Sequence, residues 1–212
     1  MADLSNYKHF KEFKCPMMDY IRDNYDALKN DFYTNISNSQ LMVNKPAYTF
    51  LDGITELYRG RILSAGLKNA NKALDDDERR IMKWDPAIEY RRNWLRCDPP
   101  LTGPWVDFIN KYDDHLEQMF FNIAYPGASI TPHLGITNSY FRVHICLQTN
   151  SGFVFDIAGE KKRWFEGVDG AFAFDDGNLR HGVSYEDTGQ SQPRVVAILD
   201  VKKEYYPEMF GL

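Results

Sequence analysis

Cysteine is scarce. Cys15, Cys97 and Cys146 are odd in number and widely spaced, which excludes a disulfide framework and any CxxC metal or redox motif and fits a reducing compartment. Long apolar runs are missing as well. No stretch approaches the roughly 18 apolar residues needed to span a bilayer, and Met1 to Phe13 carries no apolar signal core, so a soluble, cytoplasmic protein with no membrane partner is expected. Basic residues do not dominate: 25 Lys and Arg against 30 Asp and Glu leave a formal net charge of -5, which argues against the clustered positive charge that nucleic acid requires. Histidine numbers only five. Repeats, low-complexity segments and an interdomain linker are all absent.

What is present is an apolar, aromatic-rich chain of 212 residues with 43% hydrophobic and 15% aromatic residues, enough to bury one substantial core, and a single domain over 1–212 is expected. Residues 1–116 read as a mainly helical region. From Cys15 to Tyr33, the residues Met17, Ile21, Tyr25, Leu28 and Phe32 recur every three or four positions, and a second helix begins at Pro104, with Trp105, Phe108, Ile109, Tyr112 and Leu116 on one face. The charged stretch Arg59 to Pro100 reads as short helices and loops lying over the core. After Leu116 the pattern changes to short runs of β-formers: Met119–Ala124, Ser129–His133, Tyr140–Leu147, Gly152–Ile157, Lys162–Phe165, Ala171–Phe174, His181–Tyr185 and Arg194–Val201. With Gly, Pro, Asn and Asp turns between them, these predict an α+β, mainly β fold: a double-stranded β-helix (a cupin-like jelly roll) over 117–206, with the N-terminal helical region packed on it.

Three of the five histidines, His133, His144 and His181, fall in the β-rich half beside Arg142 and Arg194. In Tyr140-Phe141-Arg142-Val143-His144-Ile145-Cys146-Leu147 the two-residue period puts Arg142, His144 and Cys146 on one face and the apolar residues on the other. If the apolar face packs between layers, Arg142 and His144 point into a lumen. A cationic group there is costly unless it meets an anion. Arg194 heads the apolar strand Val195-Val196-Ala197-Ile198-Leu199, and its planar fork suits bidentate capture of a carboxylate. Two basic sites suggest a ligand with two acidic ends.

At these residues the chain resembles the aspartyl/asparaginyl β-hydroxylase family, through Tyr125-Pro126-Gly127, His133-Leu134-Gly135-Ile136-Thr137-Asn138 and Phe141-Arg142-Val143-His144. Trp164-Phe165-Glu166-Gly167, Phe174-Asp175-Asp176, His181, Arg194 and Leu199-Asp200-Val201 then follow in the family's order. The resemblance spans about Phe120 to Pro207. It implies a hydroxylase that uses Fe(II), 2-oxoglutarate and O2 to hydroxylate an unactivated C-H bond of an amino-acid-like substrate, an Asp or Asn side chain in a protein or a free small molecule, with release of succinate and CO2. It further implies that His133 and His181 hold the metal and that Arg194, with Asn122 where the family usually has a small hydroxyl residue, grips the distal carboxylate of 2-oxoglutarate. Arg142 and His144 would serve the end nearer the metal. Most enzymes of this chemistry complete a facial triad with an Asp or Glu two residues after the first histidine; here that residue is Gly135. In halogenases the same vacancy takes chloride, so a halogenase is one alternative, and a non-catalytic jelly roll that binds a dicarboxylate is another.

Plainer readings stand beside these. Arg142 can pair across strands with Asp156 or Asp175, Asp175 and Asp176 suit turn and capping roles in a Phe-Asp-Asp-Gly turn, and Trp164 reads as core or rim. Gly182 after the second histidine and Lys202-Lys203-Glu204 after the last Asp-Val depart from the family pattern, which bears on the outer shell and the substrate. Arg91, Arg92 and Trp94 are the residues of the first half singled out as substrate contacts.

Overall fold

The computed structural model describes residues 4–44, 57–68, 92–135 and 137–209. Two antiparallel sheets face each other. The strands are β1 (Met42–Asn44), β2 (Tyr58–Arg59), β3 (Ile62–Lys68), β4 (Leu116–Ala124), β5 (Ser129–His133), β6 (Tyr140–Gln148), β7 (Phe153–Ile157), β8 (Glu160–Lys162), β9 (Gly167–Phe174), β10 (His181–Tyr185) and β11 (Arg194–Lys202). The larger sheet runs β1-β3-β4-β11-β6-β9 and the smaller β2-β5-β10-β7-β8. This is the mainly β jelly roll expected from the strand pattern. Among the described residues no helix is long and apolar enough to cross a membrane.

The core has two compartments because the larger sheet is covered on both faces. On β11, Val195, Ala197, Leu199 and Val201 turn outward to the helices, whereas Val196 and Ile198 turn into the lumen between the sheets. Burial on both faces explains why this strand reads as an almost unbroken apolar run. The outer compartment is closed by α1 (Pro16–Asp23), α2 (Tyr25–Asp31) and α3 (Pro104–Tyr112). Asp31 docks α2 on α3: its carboxylate accepts from the Trp105 amide at 3.2 Å, and the Trp105 indole donates to the Leu28 carbonyl at 2.7 Å. A β-carbon on Gly103, which has φ 131°, would lie 2.7 Å from the same carboxylate, so this junction requires glycine.

Two expectations change. The single helix expected over Cys15 to Tyr33 is broken at Asn24, whose side-chain amide donates to the Tyr20 carbonyl at 2.8 Å and competes with the helical ladder there. The stretch expected to lie over the core as helices and loops contains β3, paired between β1 and β4 inside the larger sheet. Ile-Leu-Ser-Ala-Gly-Leu-Lys lacks clean alternation because both of its faces are covered: Ile62 points to the lumen, Ala65 and Leu67 to the helices.

Candidate active site

The lumen collects the chemistry. His133 ends β5 and His181 begins β10, and the two are direct cross-strand partners with ring centroids 4.4 Å apart. Each ring is fixed from behind by the backbone two residues earlier: Nδ1 of His133 lies 2.9 Å from the Thr131 carbonyl, and Nδ1 of His181 lies 2.8 Å from the Leu179 carbonyl. A carbonyl can only accept, so both Nδ1 atoms carry a proton, which leaves Nε2 as the ring atom a metal would take. Burial, followed by the neighbouring His181, pushes His133 down to about 4. Two oriented neutral imidazoles are the form a divalent transition metal takes.

Arg142 does point into the lumen, but the anions it meets are the protein's own. Its Nε donates to Asp200 Oδ1 at 2.7 Å and an Nη to Oδ2 at 2.8 Å, the bidentate fork across directly paired residues of β6 and β11. The other Nη lies 2.7 Å from Asp176 Oδ1. The partners are thus Asp200 and Asp176 rather than Asp156 or Asp175, and the guanidinium is held on both sides by carboxylates. Burial works against its charge, yet the two carboxylates outweigh burial and hold its pKa well above the ordinary value.

Asp176 is the residue that the turn-and-cap reading missed. It is wholly buried, with Oδ1 3.2 Å from His181 Nε2. Among the described residues, neither carboxylate oxygen makes a well-aligned hydrogen bond despite the short ion pairs, so charge rather than directed bonding holds the group. Burial alone would raise its pKa; the Arg142 guanidinium keeps it below the usual carboxylate range. Room for it comes from Gly135. A β-carbon there would stand 1.8 Å from Asp176 Oδ2, and the Gly135 amide donates to the Asp176 carbonyl at 2.8 Å. The glycine two residues after the first histidine therefore accommodates a carboxylate from the β9–β10 connection. The only trace of this in the sequence is the coincidence of Gly135 with an aspartate five residues before His181. Asp175, by contrast, takes the expected turn role, bonded to Asn178 and paired with Lys203 at 2.9 Å.

At the other end of the lumen Arg194 is 2% exposed and has no carboxylate partner among the described residues. It donates to Asn122 Oδ1 and lies 4.2 Å from the Trp164 ring centroid and 5.3 Å from that of Phe153, while its Nε has no hydrogen-bond partner among the described residues. Burial lowers its pKa to about 10. A buried guanidinium with an orphaned donor calls for an anion. Between the two ends stands His144, fully enclosed and held neutral by burial and by the positive charge of Arg142 and Arg194. The Trp164 indole N-H lies 3.4 Å from His144 Nδ1, which directs the remaining ring N-H of His144 from Nε2.

Among the described residues no three His, Cys, Asp or Glu side chains form a cation cage, so the donor set offered to a metal is the histidine pair, with Asp176 facing it. Residues 100–204 match the model of the Aspartyl/Asparaginyl beta-hydroxylase family. The match covers just under half of the chain. Aspartate beta-hydroxylase domain-containing protein 2 of Homo sapiens and its Mus musculus counterpart are both 36% identical to the chain over 80 residues; that stretch is 38% of this chain and 21% and 22% of theirs. The chain thus spans about a fifth of the length of the curated relatives it matches. Among solved structures, a Pseudomonas putida prolyl-4-hydroxylase covers 94% of this chain and 95% of its own, at 14% identity and a TM-score of 0.41, too loose an overlap to add to the strand order given above.

Of the residues singled out in the first half, Arg92 is exposed and Arg91 lies outside the described residues. Trp94 is 3% exposed within the outer compartment. It packs on the helix side of the larger sheet rather than in the lumen, which corrects its reading as a substrate contact.

Proposed function

We propose that this chain is an Fe(II)- and 2-oxoglutarate-dependent hydroxylase acting on an amino-acid-like substrate, an Asp or Asn side chain or a free small molecule. The observation that carries the reading is the lumen itself: two histidines oriented through Nδ1 at one end, and at the other a buried arginine with no carboxylate partner among the described residues. A dicarboxylate chelating a metal at one end and reaching Arg194 at the other satisfies both. The residues fit the group. His133 and His181 would hold the metal through Nε2, and Arg194 and Asn122 would bind the distal carboxylate. His144, neutral, would donate from Nε2 toward the 2-oxo acid end.

When bound, the ferrous ion supplies oxygen activation; the balanced reaction is substrate C-H plus 2-oxoglutarate plus O2 giving substrate C-OH, succinate and CO2. Arg142 takes a positioning role in place of a co-substrate contact. It neutralises Asp200 and Asp176 and fixes Asp176 against His181. The aromatic wall of Phe155, Phe174 and Trp164 excludes water from the reacting end.

Hydroxylation is favoured over halogenation because a halide at the position left open by Gly135 would share its place with the Asp176 carboxylate, and two anions in one buried site repel. Product analysis by mass spectrometry in bromide should show hydroxylated and no brominated species. The general test is succinate formation dependent on iron and 2-oxoglutarate, with a metabolite and peptide screen to find the substrate; a chain that binds dicarboxylate tightly but never yields succinate is a binder and not an enzyme.

A further inference from the structure

The wall that carries Asn122 has a neighbour in the stretch that the sequence read as short helices and loops. β3 runs alongside β4 with Ser64 directly opposite Asn122, and Asn122 is in turn directly opposite Val196 of β11, two residues along from Arg194. The face is set by its neighbours: Ile62 packs in the lumen and Ala65 and Leu67 pack against the helices, so the two-residue period turns Ser64 to the lumen with Ile62. Directly opposed residues hold their Cβ atoms about 5 Å apart, which brings the hydroxyl within reach of a ligand held by Asn122 and Arg194.

Ser64 is 4% exposed, and its hydroxyl has no hydrogen-bond partner among the described residues. Asn122 is equally buried; its side-chain oxygen accepts from Arg194, and its amide nitrogen is left without a partner among the described residues. With the orphaned Nε of Arg194, three donors on β3, β4 and β11 lack an acceptor on the same wall. A serine hydroxyl, an amide and a guanidinium are together what a carboxylate's four lone-pair sites accept.

We propose that Ser64 is a third anchor of the co-substrate, its hydroxyl donating to the distal carboxylate of 2-oxoglutarate beside Asn122 and Arg194. The hydroxyl comes from the adjacent strand because position 122 carries an amide, not a hydroxyl. The proposal rests on the reading of Arg194 as the carboxylate anchor and extends it to a residue outside the segment that matches the family.

The test is anaerobic isothermal titration of the Fe(II)-loaded protein with 2-oxoglutarate and with 2-oxobutyrate, which chelates alike but lacks the distal carboxylate. Loss of one hydrogen bond to a charged group predicts that Ser64→Ala weakens 2-oxoglutarate about tenfold and leaves 2-oxobutyrate unchanged, while Ser64→Thr restores binding. Unchanged 2-oxoglutarate affinity in Ser64→Ala overturns the role of Ser64. So does an equal loss for both ligands, which marks a structural disturbance. Arg194→Met separates the two readings: if it loses 2-oxoglutarate while Ser64→Ala does not, only Ser64 falls, and if the wild type binds both ligands alike and Arg194→Met changes neither, the carboxylate reading falls with it.

Discussion

Replacing Gly135 by alanine should destabilise the protein out of proportion to the methyl group added. The new β-carbon would stand 1.8 Å from Asp176 Oδ2, 2.6 Å from Cγ and 2.9 Å from the Asp176 backbone oxygen. The side-chain end could swing away in a flexible residue, but Asp176 is wholly buried and tied to Arg142 at 2.7 Å. Overpacking alone costs about 1–3 kcal/mol. Moving the carboxylate also weakens a buried ion pair, whose outright loss costs about 3–5 kcal/mol. Partial accommodation puts Gly135→Ala at about 2–4 kcal/mol, or roughly 5–15 °C in melting temperature for a chain of this length. Urea unfolding with an unchanged m-value measures it. Gly135→Asp, which restores the usual triad carboxylate in sequence, should be worse, because it sets a second anion against Asp176. A double-mutant cycle assigns the cause: Gly135→Ala with Asp176→Ala should cost less than the two single changes summed, by at least about 1 kcal/mol. Gly135→Ala within about 0.5 kcal/mol of the wild type, or strict additivity, would refute the claim that Asp176 fills this place.

Arg142→Met should cost about 3–5 kcal/mol in chemical denaturation, since it strands Asp200 and Asp176 without their shared cation; a loss under about 1 kcal/mol would mean that the clamp is not what holds them. The metal-free protein should also lose stability as pH falls. The folded pKa of His133, about 4, lies below the ordinary value of 6.5, so the unfolded chain binds the extra proton between these pH values. The contribution is present in full above pH 6.5 and lost as pH falls toward 4, at most about 3 kcal/mol and less because the ring is only partly withdrawn from solvent. Melting curves of chelator-treated protein across that window should fall more steeply toward acid than those of His133→Asn, which lacks the titrating ring; parallel curves would contradict the assignment.

The jelly roll was legible because β4 to β11 are short runs of β-formers punctuated by Pro126-Gly127, Asn150-Ser151-Gly152 and Asp176-Gly177-Asn178, signals that depend on neighbours in sequence. The orphaned Arg194 was legible for a similar reason: a charge heading an apolar strand must meet something. What failed depended on residues far apart in the chain. β3 is hidden because covering both its faces erases alternation. Asp176 is invisible as a site residue until the β9–β10 connection is folded against Gly135, and the partners of Arg142 could be assigned only once β11 was known to lie beside β6. The break at Asn24 is local, but it turns on a side chain competing for one carbonyl, which apolar spacing does not register.

The central claim is that the histidine pair and Arg194 together hold a ferrous 2-oxoglutarate chelate. Anaerobic addition of Fe(II) to protein with 2-oxoglutarate, followed by visible absorption, tests it most directly. The wild type should develop the weak charge-transfer band of the chelate at one equivalent of iron, and His181→Ala should not. No band in the wild type, or an equal band in His181→Ala, would contradict the account.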